Sequence, residues 1–300
     1  MKTYLNGQML DESQALVSIQ DAGFQHAVGL FETMFAYNGK VFRLDRHLAR
    51  LKRSAAELGL AADMATAPLA DAVHQTLAEN KLEHARLRLT VTAGTLSMLR
   101  SDDGEQAMRV RQTICVQAQQ PTAFAPGYFE QGVRVRLYGQ GANPFDITAG
   151  HKTLNYWARL RALRQAAASD CAEAIWLSVT NHLASGAVSN LMLVKDDELL
   201  TPIARGEEKP EALPAPVLPG VTREAVIEAA EAQGIAVNKQ MLTVEDLLDA
   251  DEVFLTNSNW KALPVVAVEQ KTIADGKVGP ITQSLRHAVL QMVDNETAQS

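Results

Sequence analysis

The sequence has little of what would mark several common chemistries. Two cysteines occur in 300 residues, Cys115 and Cys171, far apart and each inside an apolar run (TICVQA and CAEAIWL). With no CxxC spacing they make neither a zinc ligand pair nor a redox pair, and they read as buried structural thiols. The seven histidines are scattered without metal-ligand spacing. No apolar run approaches the ~20 residues that a bilayer span needs. The segment MKTYLNGQML lacks the apolar stretch of a secretory signal. No Lys/Arg-rich run is present, and a net charge of −7 argues against nucleic acid or an anionic membrane as partner. A cytoplasmic protein handling small molecules is expected.

What is present suits a globular chain. Apolar residues make up 47% and charged residues 21%, and the length is a prior for two domains of roughly 150 residues. The expected division is residues 1–118, a linker over 119–126 (around QQPTAFAPG), and residues 127–300. In the first part VSIQ and KVFRL are short strand candidates. Leu44, Leu48, Leu51, Ala55 and Leu58 recur at spacings of four and three, which predicts an amphipathic helix over 45–59 closed by Gly59. Leu69, Val73 and Leu77 mark a second helix over 68–79, and ARLRLTVTAG and VRQTICVQA alternate as strands do. The second part returns to strand–helix alternation. It has a helix over 155–168 carrying Tyr156, Leu160 and Leu163, and a strand AEAIWLSV. A hairpin NLMLVKDDELLTP turns at Lys195–Asp197, and a helix over 221–233 stops at Gly234. Thr243 with Asp246 is placed to cap a short helix. Residues 204–219, rich in Pro, Ala and Glu, read as a surface loop.

Three segments can carry chemistry. In VLPGVTREAV a Pro–Gly turn runs straight into a helix. The amides of Val221 and Thr222 then lack intrahelical partners and could hold an anion, or simply begin an ordinary capped helix. HKTLNYWARL sets Lys152 just ahead of an apolar helix. A lysine withdrawn from water loses its proton more readily, as Schiff-base chemistry needs, although a lysine at a helix end can also reach solvent. In RHLARLKRSA, Arg50 and Arg53 belong to a solvated helix face unless one of them turns inward to a phosphate.

Together with YLNG, SIQDAGF, GLFETM, SNLMLV, LLTP and ADEVFLTNSNWKALPV, these segments resemble the class IV aminotransferase family, in order and over nearly the whole chain. The resemblance implies a two-domain α/β fold of the fold-type IV kind, with pyridoxal 5′-phosphate held between the domains. It implies a homodimer with an amine or amino acid as substrate. Lys152 would carry the cofactor. Arg50, Val221, Thr222 and Ser258 would meet its phosphate, with Tyr156, Asn190 and Ser185 also against it. Phe31, Asn257 and Arg100 are the candidate substrate contacts.

The chain departs from the family pattern in places that matter. Five residues before the asparagine of its SN motif the family has a glutamate, which pairs with the pyridine nitrogen, and here that position is Ser185. A carboxylate keeps that nitrogen protonated and the ring strongly electron-withdrawing, whereas a hydroxyl only hydrogen-bonds it. The arginine that branched-chain aminotransferases carry soon after their FE motif is replaced by Phe35. The Arg-x-His pair of D-amino-acid aminotransferases falls on SMLRS, with Met98 and Arg100. The turn at Asn257–Ser258 and the HKTLN segment are similar to aminodeoxychorismate lyases. The resemblance therefore implies a lyase that releases pyruvate and leaves 4-aminobenzoate. Its rivals are an aminotransferase for branched-chain, D- or other amino acids, and a cofactor-binding protein without turnover.

Overall fold

The computed structural model describes residues 1–95 and 112–298. The chain forms two compact units. The first holds Met1–Thr122, Lys152–Asn155 and the C-terminal residues from Glu296, and the second holds Ala123–His151 and Tyr156–Asn295. A boundary drawn along the chain cannot express this, because the short segment carrying Lys152 joins the first unit.

In the first unit, strands β1 (Lys2–Leu5), β2 (Gln8–Asp11), β3 (Gly29–Tyr37), β4 (Lys40–Val41), β5 (Ala85–Thr92) and β6 (Ile114–Gln119) form an antiparallel sheet in the order β2-β1-β6-β5-β3-β4. A short helix α1 (Ala22–His26) precedes β3. Helices α2 (Leu44–Glu57) and α3 (Ala67–Asn80) pack Leu48, Leu51, Ala55, Leu69, Val73 and Leu77 into one core with Leu87, Leu89 and Val91 of β5. The period-2 pleat sends those apolar residues to the helices and Arg86 and Arg88 to the opposite face, which explains the interleaved arginines. The Leu44–Leu58 stripe gives the helix as expected, and Gly59 follows it at φ +68°, where a residue with a Cβ would be strained.

In the second unit a mixed sheet follows the short helix α4 (Gly127–Glu130). Its strands are β7 (Val133–Ala142), β8 (Glu173–Ser178), β9 (Leu183–Gly186), β10 (Asn190–Lys195), β11 (Glu198–Pro202), β12 (Val237–Gln240), β13 (Glu252–Asn257) and β14 (Lys261–Val268). The order is β12-β11-β10-β13-β14-β7-β8-β9, with β15 (Lys271–Thr272) on β14. Helices α5 (Trp157–Ala167), α6 (Val221–Ala232), α7 (Val244–Leu248) and α8 (Pro280–Thr297) complete the element order. One core gathers Val135, Ile175, Leu191, Leu193, Val253, Leu255 and Leu263, and another gathers Tyr138, Trp176, Ala162 and Ala166. The β10–β11 hairpin turns on Asp196 and Asp197, both at positive φ, as a tight two-residue turn requires. Thr243 and Asp246 form the reciprocal capping box of α7.

Four expectations need correction. VSIQ is not a strand: Val17 and Ile19 lie exposed in irregular chain, because four residues of alternation find no strand to pair with. Only Lys40–Val41 of KVFRL is extended before α2 begins. On α5 the inward residues are Ala162 and Ala166, whereas Leu160 is 51% exposed. Small side chains let this helix approach the large rings of Tyr138 and Trp176. The 204–219 segment is tied down more firmly than its composition suggests. Arg223 is buried and forks onto Glu207 at 2.8 Å through both terminal nitrogens, and Lys239 adds a third contact at 2.8 Å.

Candidate active site

Strand β3 is buried on both faces, and each face carries a polar group. On the side facing α2, Glu32 is 1% exposed. Arg50 reaches it through Nε (2.9 Å) and Nη2 (2.5 Å), and His47 Nδ1 lies 2.8 Å away. Arg50 and His47 are one helical turn apart on the inward stripe of α2, while Arg53 points to solvent. Burial alone would raise the Glu32 carboxyl, but the charges and hydrogen bonds of Arg50 and His47 outweigh it and hold the group at about 2. Burial pushes His47 below its ordinary 6.5; Glu32 pulls it back, and the charges of Arg50 and Lys152 add to the depression. A carboxylate only accepts, so His47 donates from Nδ1. Arg50 is thus the inward arginine of the pair. Glu32 and His47 were missed in the sequence because nothing in GLFETM or RHLARL says which strand face meets the helix.

Along the edge of β3 not taken by β5, the Lys152 segment pairs with the strand through an antiparallel bridge between Leu30 and Thr153. The Phe31 N–H donates to the Lys152 carbonyl and the Leu154 N–H to the Gly29 carbonyl, both at 3.0 Å. Gly29 has no room for a side chain, since a Cβ there would come 2.8 Å from Leu154 Cδ1 and from the Val91 carbonyl oxygen. Lys152 is half-buried, with Nζ 4.5 Å from the centre of the Phe31 ring. The Arg88 guanidinium stacks on the same ring at 3.7 Å. Arg88 stands opposite Thr33, two residues from Phe31, which is the diagonal neighbour relation of an antiparallel pair. The alternation of ARLRL could have flagged Arg88 as lying off the core face, but only the strand register brings it to Phe31.

In the second unit, Ser185 is buried opposite Trp176 in the β8–β9 register, and its hydroxyl has no hydrogen-bond partner among the described residues. The backbone that follows is held on several sides. Glu173, fully buried, accepts from the amides of Ala174 (3.0 Å), Ala187 (3.2 Å) and Val188 (3.2 Å) and from the Ser189 hydroxyl (3.0 Å). Burial pushes its carboxyl upward and these four donors pull it back. Arg159 donates to the carbonyls of Ala187 (2.7 Å) and Gly186 (3.3 Å). Asn190 donates to the Leu218 carbonyl at 2.8 Å, and its Oδ1 occupies the space where a Cβ on Gly220 would stand. Asn257 accepts from the amides of Asn259 and Trp260 and donates to the Val188 carbonyl. Asn190 and Asn257 therefore shape backbone: one sets the approach to α6, the other the turn bearing Ser258.

That approach leaves an anion-binding geometry. Val221 and Thr222 are buried at the start of α6, Gly220 supplies no side-chain cap, and the first intrahelical bond runs from Glu224 to Gly220 at 2.9 Å. The earlier amides are donors without helical acceptors. Ser258 is half-buried, and its carbonyl accepts from Lys261 Nζ at 2.5 Å. Burial, with Arg286 adding to it, lowers Lys261 to about 7. Tyr156 is half-buried at the N-cap of α5, with Arg159 5.8 Å from its ring. Arg100, like Met98, lies outside the described residues. In the second unit, the first-turn amides of α6 and the hydroxyls of Thr222 and Ser258 are donors of the kind that suit a phosphate ester. In the first unit, Lys152 offers a half-buried amine of the kind that condenses with an aldehyde.

This architecture is that of a fold-type IV pyridoxal-phosphate enzyme. The family model for amino-transferase class IV matches residues 29–268. The chain belongs to the class IV aminotransferase family, whose cofactor is pyridoxal phosphate. It is 33% identical over 289 residues to a putative branched-chain-amino-acid aminotransferase of Methanocaldococcus jannaschii, covering 95% of this chain and 94% of that protein. To the D-alanine aminotransferase of Bacillus licheniformis it is 28% identical, with complete coverage of both chains. The solved branched-chain amino acid aminotransferase of Escherichia coli superposes with a TM-score of 0.87 at 26% identity, covering 100% of this chain and 96% of that one.

Proposed function

We propose that this chain is a pyridoxal-phosphate-dependent aminotransferase that moves the amino group of an apolar amino acid, branched-chain in type, to a 2-oxo acid. The observation that carries this reading is the shared ring of Phe31, with the Lys152 amine at 4.5 Å and the Arg88 guanidinium at 3.7 Å. Arg88 offers a planar fork suited to a carboxylate, and Lys152 is a base beside it, so an amino acid seated against Phe31 meets both. The bound cofactor supplies an aldehyde for the substrate amine and a ring that withdraws electrons. Lys152 would carry the cofactor and, once displaced by the incoming amine, would serve as the base that takes the proton from the substrate Cα. Arg50, Val221, Thr222 and Ser258 hold the phosphate, and Ser185 meets the pyridine nitrogen. Glu173 does not serve that nitrogen in this reading, because both of its oxygens are engaged by donors from the 174–189 backbone and Ser189.

The relatives of the M. jannaschii and E. coli kind support the branched-chain substrate, and the D-alanine aminotransferases mark stereochemistry as the variable to measure. The lyase expected from the Asn257–Ser258 turn gains no support from these relatives, and Asn257 is engaged in shaping its own turn. A homodimer is part of this proposal. Leu16, Ile19 and Phe24 in the first unit, and Phe145, Ile147 and Trp157 in the second, are each at least 71% exposed, more apolar surface than a lone chain gains from. The deciding experiment offers L- and D-amino acids with 2-oxoglutarate and reads glutamate, and in parallel offers aminodeoxychorismate and reads pyruvate and 4-aminobenzoate. Glutamate from L-branched-chain substrates is expected. Pyruvate with 4-aminobenzoate, and no glutamate from any amino acid, overturns the reading.

A further inference from the structure

Where the family has a carboxylate, this chain has a hydroxyl, and a cation lies beside it. The Arg159 guanidinium donates to the carbonyl of Gly186, the residue directly after Ser185, at 3.3 Å, and to that of Ala187 at 2.7 Å. It also lies 5.5 Å from the ring of Trp176, the cross-strand partner of Ser185. No carboxylate pairs with Arg159 among the described residues. The Tyr138 ring lies tilted against Trp176, with their centres 5.0 Å apart. Glu173, the acid bound to the same backbone stretch, is engaged with the amides of Ala187 and Val188 and the Ser189 hydroxyl.

We infer that Arg159 is a positioning residue that keeps the cofactor's pyridine nitrogen unprotonated, acting through its fixed positive charge beside Ser185. This rests on the reading that Ser185 faces that nitrogen. A guanidinium is always charged and only donates, so it cannot supply a proton acceptor or an anionic partner for a protonated ring. A like charge nearby disfavours adding a proton, whereas the hydroxyl of Ser185 is free to donate to the nitrogen lone pair. The consequence for function is a weaker electron sink than a carboxylate-paired ring gives, and so a slower transfer held in check at the cofactor rather than at the substrate.

The test reconstitutes the full-length protein with cofactor carrying 15N at the ring nitrogen and follows its chemical shift against pH. Wild type is expected to show an unprotonated nitrogen at pH 7. Arg159→Met should raise the protonation midpoint by about one pKa unit, tenfold in the equilibrium. Arg159→Lys, which keeps the charge, should restore the wild-type midpoint, a rescue that a purely structural role would not give. Arg159→Gln serves in place of the methionine variant if that one fails to fold. A protonated nitrogen in wild type at pH 7, or an unmoved midpoint in both neutral variants, overturns the inference. The underlying reading fails differently: if Ser185→Glu leaves the nitrogen signal unchanged, Ser185 does not face the ring. If Lys152 traps no label on borohydride reduction, the cofactor reading itself is wrong.

Discussion

Arg50 grips Glu32 through two of its donors, Nε and Nη2, with both residues buried and the carboxyl held at about 2. Removing one partner of such a pair strands the other charge, which costs about 3–5 kcal/mol. Arg50→Ala should therefore lower the denaturant midpoint sharply. As a proposed phosphate ligand Arg50 should also matter to the cofactor, with affinity falling about 10- to 150-fold for a lost charge-assisted contact. Titration with cofactor separates the two effects. A destabilised variant that binds cofactor as wild type does would leave Arg50 only its structural partnership with Glu32.

His47 makes the same cluster sensitive to pH. Its folded pKa is depressed below 6.5, chiefly by burial, so the unfolded chain takes up a proton first as pH falls. Stability should then decline as pH drops from 7 through 6.5, well above the range in which Glu32 titrates. The difference in Tm between wild type and His47→Gln, scanned from pH 8 to 5, should shrink toward acid. A constant difference would show that His47 stays neutral in both states or is not desolvated.

Lys261 gives a second window of opposite range. Burial, then Arg286, brings its folded pKa to about 7 from 10.5, so between those values the unfolded chain binds more protons and stability rises with pH. Wild type should gain Tm from pH 7 to 9 at this site. Lys261→Met removes the buried ammonium at pH 7 and should lose that rise, by roughly 2 °C or more if a kilocalorie is involved. Identical slopes in the two proteins would place the Lys261 amine in water.

Lys152 should be the residue that carries the cofactor. Borohydride reduction of wild type should fix the label on a peptide containing HKTLNY, and Lys152→Ala should fix none while unfolding as wild type does. Lys261 is the natural control, since a half-neutral buried amine is the other reactive candidate. Label on a Lys261 peptide in the Lys152 variant would move the assignment.

Much of this was legible in the residues, and what was hidden has physical reasons. The Leu44–Leu58 stripe, the Thr243–Asp246 box and the Asp196–Asp197 turn are local patterns whose partners lie within a few residues, so they read correctly. Lys152 and the α6 start could be singled out from local features, a lysine just ahead of an apolar helix and a Pro–Gly turn running into a helix, whereas Arg50 was separated from Arg53 only by the family resemblance. Glu32, His47, Arg88 and Arg159 could not be singled out. Their significance depends on strand register and on which face of β3 meets α2, and both are set by pairings tens of residues apart. Asn190 and Asn257, expected at the ligand from motif membership, also have a local task, since their amides hold the Leu218 and Val188 carbonyls.

Ser185, proposed to stand where the class IV pattern has a glutamate, is the position whose replacement is the most informative single change. Ser185 is 5% exposed, stands opposite Trp176 and has a hydroxyl without a partner among the described residues, so a side chain there acts on whatever adjoins it. Ser185→Glu places a carboxylate at that point. If it meets the pyridine nitrogen, it favours the protonated ring by a unit or more of pKa, with one unit equal to ~1.4 kcal/mol. The half-reaction of an amino acid with the loaded enzyme, followed as conversion to the pyridoxamine form, should then run about tenfold faster than in wild type. Two features of the site oppose this. Ser185 is buried, so a longer side chain must find room there, and the new carboxylate can turn instead toward Arg159, which already lies against the Gly186 and Ala187 carbonyls. The double variant Ser185→Glu with Arg159→Met removes that competitor and should exceed the single one. Wild type that transaminates faster than both variants, with cofactor fully bound in all three, would mean that the hydroxyl is the better partner for this ring.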